Sequence, residues 1–100
     1  MLHTVNKSPL ERNSLDSCLR LAAKGSAILL IEDGVYGALV GSHAAEKISS
    51  RIGDFKFYAL GPDLAARGLS EAPLIDGIEV VDYGGFVDLA AEREAQQAWL

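Results

Sequence analysis

Ala27-Ile28-Leu29-Leu30-Ile31, closed by Glu32-Asp33-Gly34, is the stretch whose reading decides the fold. Five consecutive apolar residues are too few for a helix of ordinary length and show no polar alternation. They suit a strand covered on both faces, as in a parallel sheet. Working outward, Leu2 to Val5 and Phe55 to Leu60 read as strands on either side, and Ile78 to Val81 as a fourth. Between them lie helical patterns. Leu15, Cys18, Leu19 and Ala22 recur at i, i+3, i+4 and i+7, and Gly25 stops that helix. Ser8-Pro9-Leu10-Glu11 has the form of a capping box with proline at the first helical position, and Asn13 or Ser14 offers a second start. Val35 to Val40 reads as a short helix, and Ala44, Ala45, Ile48 and Ile52 as a weak helical pattern up to Gly53. Gly61-Pro62-Asp63 ends the third strand, and Leu64 to Arg67 forms a helical turn closed by Gly68. Ser70 to Gly77 is a loop, and Gly84-Gly85 lead into a last helix with Phe86, Val87, Leu89 and Ala90. The alternation predicts one α/β domain over 1–100: a small three-layer fold whose mainly parallel sheet of four to five strands is flanked by helices.

Composition narrows the function. The 100 residues are 49% hydrophobic with no run near the ~20 needed to span a bilayer. Residues 1–7 lack the layout of a secretion signal. The sole cysteine, Cys18, has no internal partner, which is the usage of a reducing cytoplasm. Net charge is −5 and uneven: residues 1–24 carry four basic and two acidic side chains, the remainder five basic and twelve acidic. An extended basic footprint for nucleic acid is therefore missing. A chain this small and this apolar is expected to hide surface in a partner.

The candidate chemistry rests on few residues. Cys18 is the one strong nucleophile. Its place on the apolar face suits a small buried hydrophobe, while Lys7, Arg12, Arg20 and Lys24 nearby in sequence would favour a thiolate. His3 suits a hydrogen-bonded strand histidine, and a Cys18–His3 pair is the nucleophilic alternative. Glu32 and Asp33 end a strand where open α/β sheets place ligand crevices, or cap the helix that follows. One cysteine with His3 and His43 far apart makes no metal cluster. Asn6-Lys7-Ser8-Pro9 has no glycine, and Gly34, Gly37 and Gly41 are spaced wrongly for a dinucleotide, so no cofactor is expected. Trp99-Leu100 follows a polar stretch and either folds back on the core or docks a partner.

Residues 1–9 (MLHTVNKSP), 30–35 (LIEDGV), 58–68 (YALGPDLAARG), 81–87 (VDYGGFV) and Ala98-Trp99 together resemble the DsrH/TusB family over nearly the whole chain. The resemblance implies a subunit of a cytoplasmic sulfur-relay complex, a dimer of heterotrimers with DsrE/TusD-like and DsrF/TusC-like partners, handing persulfide sulfur to a downstream acceptor protein. It places the main carrier cysteine on the DsrE/TusD-like subunit. The DsrH branch also keeps a cysteine on its first helix, and Cys18 matches that position. Cys18 is thus the candidate sulfur acceptor, and the favoured setting is dissimilatory sulfur oxidation. The alternatives are a TusB-like subunit for 2-thiouridine in tRNA, a subunit of the same complex without chemistry, and self-association of the isolated chain.

Overall fold

The computed structural model describes residues 1–10, 13–93 and 95–100. Its strands are β1 (Leu2–Val5), β2 (Ala27–Leu30), β3 (Lys56–Leu60), β4 (Ile78–Val81) and β5 (Gln96–Trp99). Its helices are α1 (Ser14–Leu21), α2 (Ala45–Ser49), α3 (Gly61–Ala66) and α4 (Tyr83–Glu92), with a 3-10 helix over Glu32–Ala38. The five strands form one sheet in the order β4-β3-β2-β1-β5, and each adjacent pair is parallel.

The strand order dictates the layers. From β1 to β4 the chain steps one strand at a time in a single direction. A right-handed crossover then puts every connecting helix on the same face. Leu15, Cys18 and Leu19 of α1, Ile48 of α2 and Leu64 of α3 accordingly share one buried cluster with Val5, Ile28, Leu30, Phe57 and Ala59. The passage from β4 to β5 runs back across the sheet, so the same handedness sends α4 to the opposite face. There Phe86, Leu89 and Ala90 cover Leu2, Ala27, Leu29 and Leu60. β2 is buried at all four positions because both layers meet over it. Ile28, Leu29 and Leu30 each contribute about 1.5–3 kcal/mol relative to exposure.

The sheet is wholly parallel, and its fifth strand comes from the segment read as a tail. Gln96, Gln97 and Ala98 are exposed, so β5 carries no apolar signal. It is an edge strand held by its pairing to β1 and by half-buried Trp99. Helix starts also differ from expectation. α1 begins at Ser14, the second of the two starts considered. Ser8 Oγ accepts a hydrogen bond from the Leu10 amide at 3.3 Å, a local turn that competes with helix initiation. Glu11, the other half of the expected capping box, lies outside the described residues. The helix expected at Val35–Val40 is the 3-10 turn and starts three residues earlier. β3 ends before Gly61, as read, but α3 opens at Gly61 instead of Leu64, and a side chain at Gly61 would meet Val80 Cγ1 at 3.1 Å. Gly84 and Gly85 belong to α4. Asp82 caps it, its carboxylate accepting from the Gly85 amide at 2.7 Å. No helix among the described residues is long and apolar enough to cross a membrane.

Candidate functional site

α1 carries Cys18 on the stripe that faces the sheet, because residues three and four apart stack on one side of a helix. The thiol is 0% exposed among Val5, Leu15, Leu19, Ile28 and their neighbours. Burial pushes it up to about 12, since a thiolate there would lose its hydration. No cation among the described residues offsets this cost. Arg20 lies two residues on, about 200° around the helix, and is exposed. The Lys24 ammonium lies 3.7 Å from Asp54. Lys47 pairs with Asp16 at 2.8 Å. Arg12 lies outside the described residues. In the folded chain the sulfur is thus neutral and shielded from a donor, whereas sulfur transfer requires access and a thiolate. Labelling with a thiol reagent at pH 8 is expected to be slow in the native protein and fast once urea unfolds it. Rapid native labelling would show that α1 opens on its own.

His3 is not drawn toward Cys18. Its Nδ1 accepts from the Trp99 indole N–H at 3.1 Å, with the two rings 6.2 Å apart. It is 4% exposed, and desolvation with the nearby amino terminus lowers its pKa. This is the hydrogen-bonded strand histidine expected from sequence. His43 is exposed and lines an apolar cavity of about 190 Å³ with Pro9, Leu10, Tyr36 and Leu39. Trp99-Leu100 folds back on its own chain: Trp99 packs on the core, and Ser14 Oγ donates to the Leu100 carbonyl at 3.1 Å.

Glu32 and Asp33 lie at the carboxyl end of β2, as read, but neither side chain caps the turn that follows. Asp33 instead accepts from Arg67 Nε of the segment after α3 at 2.9 Å. The Glu32 amide donates to Asp63 Oδ2 at 2.6 Å. Arg67 also donates to the Asp63 carbonyl at 3.2 Å. Glu32 adopts φ +49, a left-handed conformation unusual for a side chain of its size. These partners stand 31 to 34 positions apart in sequence and join β2 to α3. Gly34 explains the rest of the motif. A Cβ there would sit 2.1 Å from the Val5 carbonyl oxygen, so only glycine lets the turn pack on β1. The Glu-Asp-Gly motif therefore locks three strand ends together. No group of three or more His, Cys, Asp or Glu among the described residues could hold a metal.

The comparisons place this geometry in a family. The sequence profile of the family described as "DsrH like protein" matches residues 7–96. Protein TusB of Shigella flexneri is 38% identical over 99 residues, covering 99% of this chain and 100% of its own. Protein TusB of Escherichia coli has the same identity and coverage, and that of Pectobacterium parmentieri is 36% identical over 99 residues. Among solved structures, the ychN protein from Escherichia coli superposes with a TM-score of 0.78 at 20% identity over 97% of each chain. A protein of unknown function from Methanobacterium thermoautotrophicum gives 0.74 at 20% identity, over 97% of this chain and 96% of its own. At that identity the two structures speak for the fold. The profile and the full-length relatives together show that the chain belongs to the DsrH-like family, whose members include the TusB proteins.

Proposed function

We propose that this chain is a non-carrier subunit of a cytoplasmic sulfur relay that serves 2-thiouridine formation in tRNA. One observation carries the non-carrier role: the only thiol of the chain is at 0% exposure inside the main core. The setting is supported by the relatives matched end to end, which are TusB proteins. The oxidation setting leaned on Cys18 as an acceptor, and burial weakens that lean. In this reading the chain contributes surface. DsrE/TusD-like and DsrF/TusC-like partners supply the carrier thiol and cover exposed apolar groups such as Tyr83 and Val87 of α4, which are 61% and 66% exposed. The acidic balance fits delivery to a protein acceptor better than direct contact with RNA.

The test is genetic complementation read by mass spectrometry of tRNA nucleosides. Deleting the chain is expected to abolish 2-thiouridine. Cys18→Ala, which keeps the site apolar, is expected to restore it to within about twofold, because the cost is a small cavity of about 1–2 kcal/mol. A Cys18→Ala chain that still assembles with its partners but leaves tRNA unthiolated would establish Cys18 as a sulfur acceptor. Unchanged 2-thiouridine in the deletion, with sulfur oxidation lost, would place the relay in the oxidative setting.

A further inference from the structure

In the Asp33–Arg67–Asp63 network Arg67 is ion-paired with Asp33, and the Asp63 carboxylate accepts from the Glu32 amide. The apolar cavity beside Tyr36 and His43 has, among the described residues, no feature that selects an occupant. The contact of His3 with Trp99 carries further, because it ties a weakly held edge strand through a titratable acceptor.

Besides that contact, β5 is held by its ladder to β1 and by the hydrogen bond from Ser14 Oγ to Leu100 at 3.1 Å. Three of its four residues are exposed, its one neighbour is β1, and Trp99 is its only contribution to the core. Segments with few buried contacts open at the low end of a protein's stability range. We propose that β5 is a pH-released latch, held down while His3 Nδ1 accepts from the Trp99 indole and let go when that nitrogen takes a proton. The imidazolium and the indole would then be two donors facing each other. Release uncovers the edge of β1 and withdraws Trp99 from the cluster over α1.

Among the described residues, no carboxylate is ion-paired with His3. In register, β2 sets Ile28 and β5 sets Gln97 opposite it. The Met1 ammonium acts on it and resists a second positive charge. From α1, Cys18 is a neutral thiol and Asp16 is paired with Lys47. The Leu100 carboxyl lies one residue beyond Trp99, and its oxygen accepts from Ser14 Oγ of α1 at 3.1 Å. The sign follows from linkage. Burial lowers the pKa of His3 in the folded state, and detachment of the strand relieves that burial. The latch is therefore at full strength above pH ~6.5, and opening rises by up to tenfold per pH unit below that until the folded imidazole itself titrates.

Trp99 is the sole tryptophan, so its emission reports the latch in the intact chain. Between pH 8 and 4.5 the maximum is expected to move to longer wavelength while far-UV circular dichroism holds steady. His3→Asn, whose amide oxygen replaces the Nδ1 acceptor without titrating, is expected to abolish the shift. Hydrogen exchange of the β5 amides, corrected for intrinsic rates and compared with Leu29, provides a second readout in the unmutated protein. Acceleration confined to β5 supports the latch. No shift, a shift coincident with global unfolding, or an equal shift in a folded His3→Asn chain would each overturn it.

Discussion

Gly34→Ala is expected to unfold this protein, or to leave it stable only well below its normal melting temperature. The added Cβ would stand 2.1 Å from the Val5 carbonyl oxygen and 2.9 Å from its carbon, so the atoms in the way are main chain. Side chains can change rotamer to admit a methyl group, whereas this carbonyl cannot move freely. It accepts a hydrogen bond from the Ile31 amide at 3.0 Å, at the junction of β1 and β2. Overpacking alone reaches about 3 kcal/mol, and breaking that bond adds about 1 kcal/mol. A loss of ~4 kcal/mol is a large share of the roughly 5–15 kcal/mol that holds a domain together. For a chain of this length it corresponds to a fall in Tm of about 16–30 °C. Gly53→Ala is the control, since nothing lies within 4 Å of its Cβ position. It should be neutral or raise stability by up to about 1 kcal/mol through the unfolded chain. A Gly34→Ala protein melting within a few degrees of the parent would mean that the turn after β2 does not pack on β1 as found.

The same motif shows where a sequence is legible and where it is not. Ala27 to Ile31 announced its strand because two-sided burial leaves an unbroken apolar run. The alternation of such runs with helical patterns then carried the α/β class. β5 was hidden for the converse reason. An edge strand of Gln96-Gln97-Ala98 buries almost nothing, and its pairing with β1 joins residues more than ninety positions apart. The Asp63 and Arg67 contacts to Glu32 and Asp33 were missed because they are tertiary, made only once β2 and β3 lie side by side. The Asp82 cap was available: aspartate three residues before Gly85, at the start of an apolar helix, is an N-cap signature. For Cys18 the i, i+3, i+4, i+7 spacing pointed to burial and nearby cations to reactivity. The spacing carries more, because it sets which way the side chain faces. Closeness in sequence of Arg20 and Lys24 does not bring their charge to the sulfur.

Phe57→Ala is expected to have the other large effect, and its setting ties stability to assembly. Phe57 is 2% exposed on β3, opposite Ile28 of β2 and Ile78 of β4. Its ring meets Phe55 edge-on, with centroids 6.0 Å apart and planes at 85°, and the Arg51 guanidinium covers Phe55 at 4.9 Å. Truncation to alanine costs about 3–5 kcal/mol in transfer and cavity terms, with ~1 kcal/mol of aromatic pairing inside that range or added to it. Phe57→Leu, which keeps most of the volume, should stay near ~1.5 kcal/mol. Urea midpoints of the two variants separate the effect of the ring from that of the position. A Phe57→Ala shift below that of Phe57→Leu would show that β3 is not sealed between its neighbours. The isolated chain leaves Val80, Tyr83 and Val87 half exposed or more, so its own margin is thin. A partner that binds only the folded form adds stability by mass action, about 2.7 kcal/mol at a hundredfold excess over Kd. Phe57→Ala should therefore unfold readily alone, yet survive when co-expressed with the partners of the relay. Equal loss in both settings would indicate that those partners do not engage the folded chain, and the proposed relay would lose its physical basis.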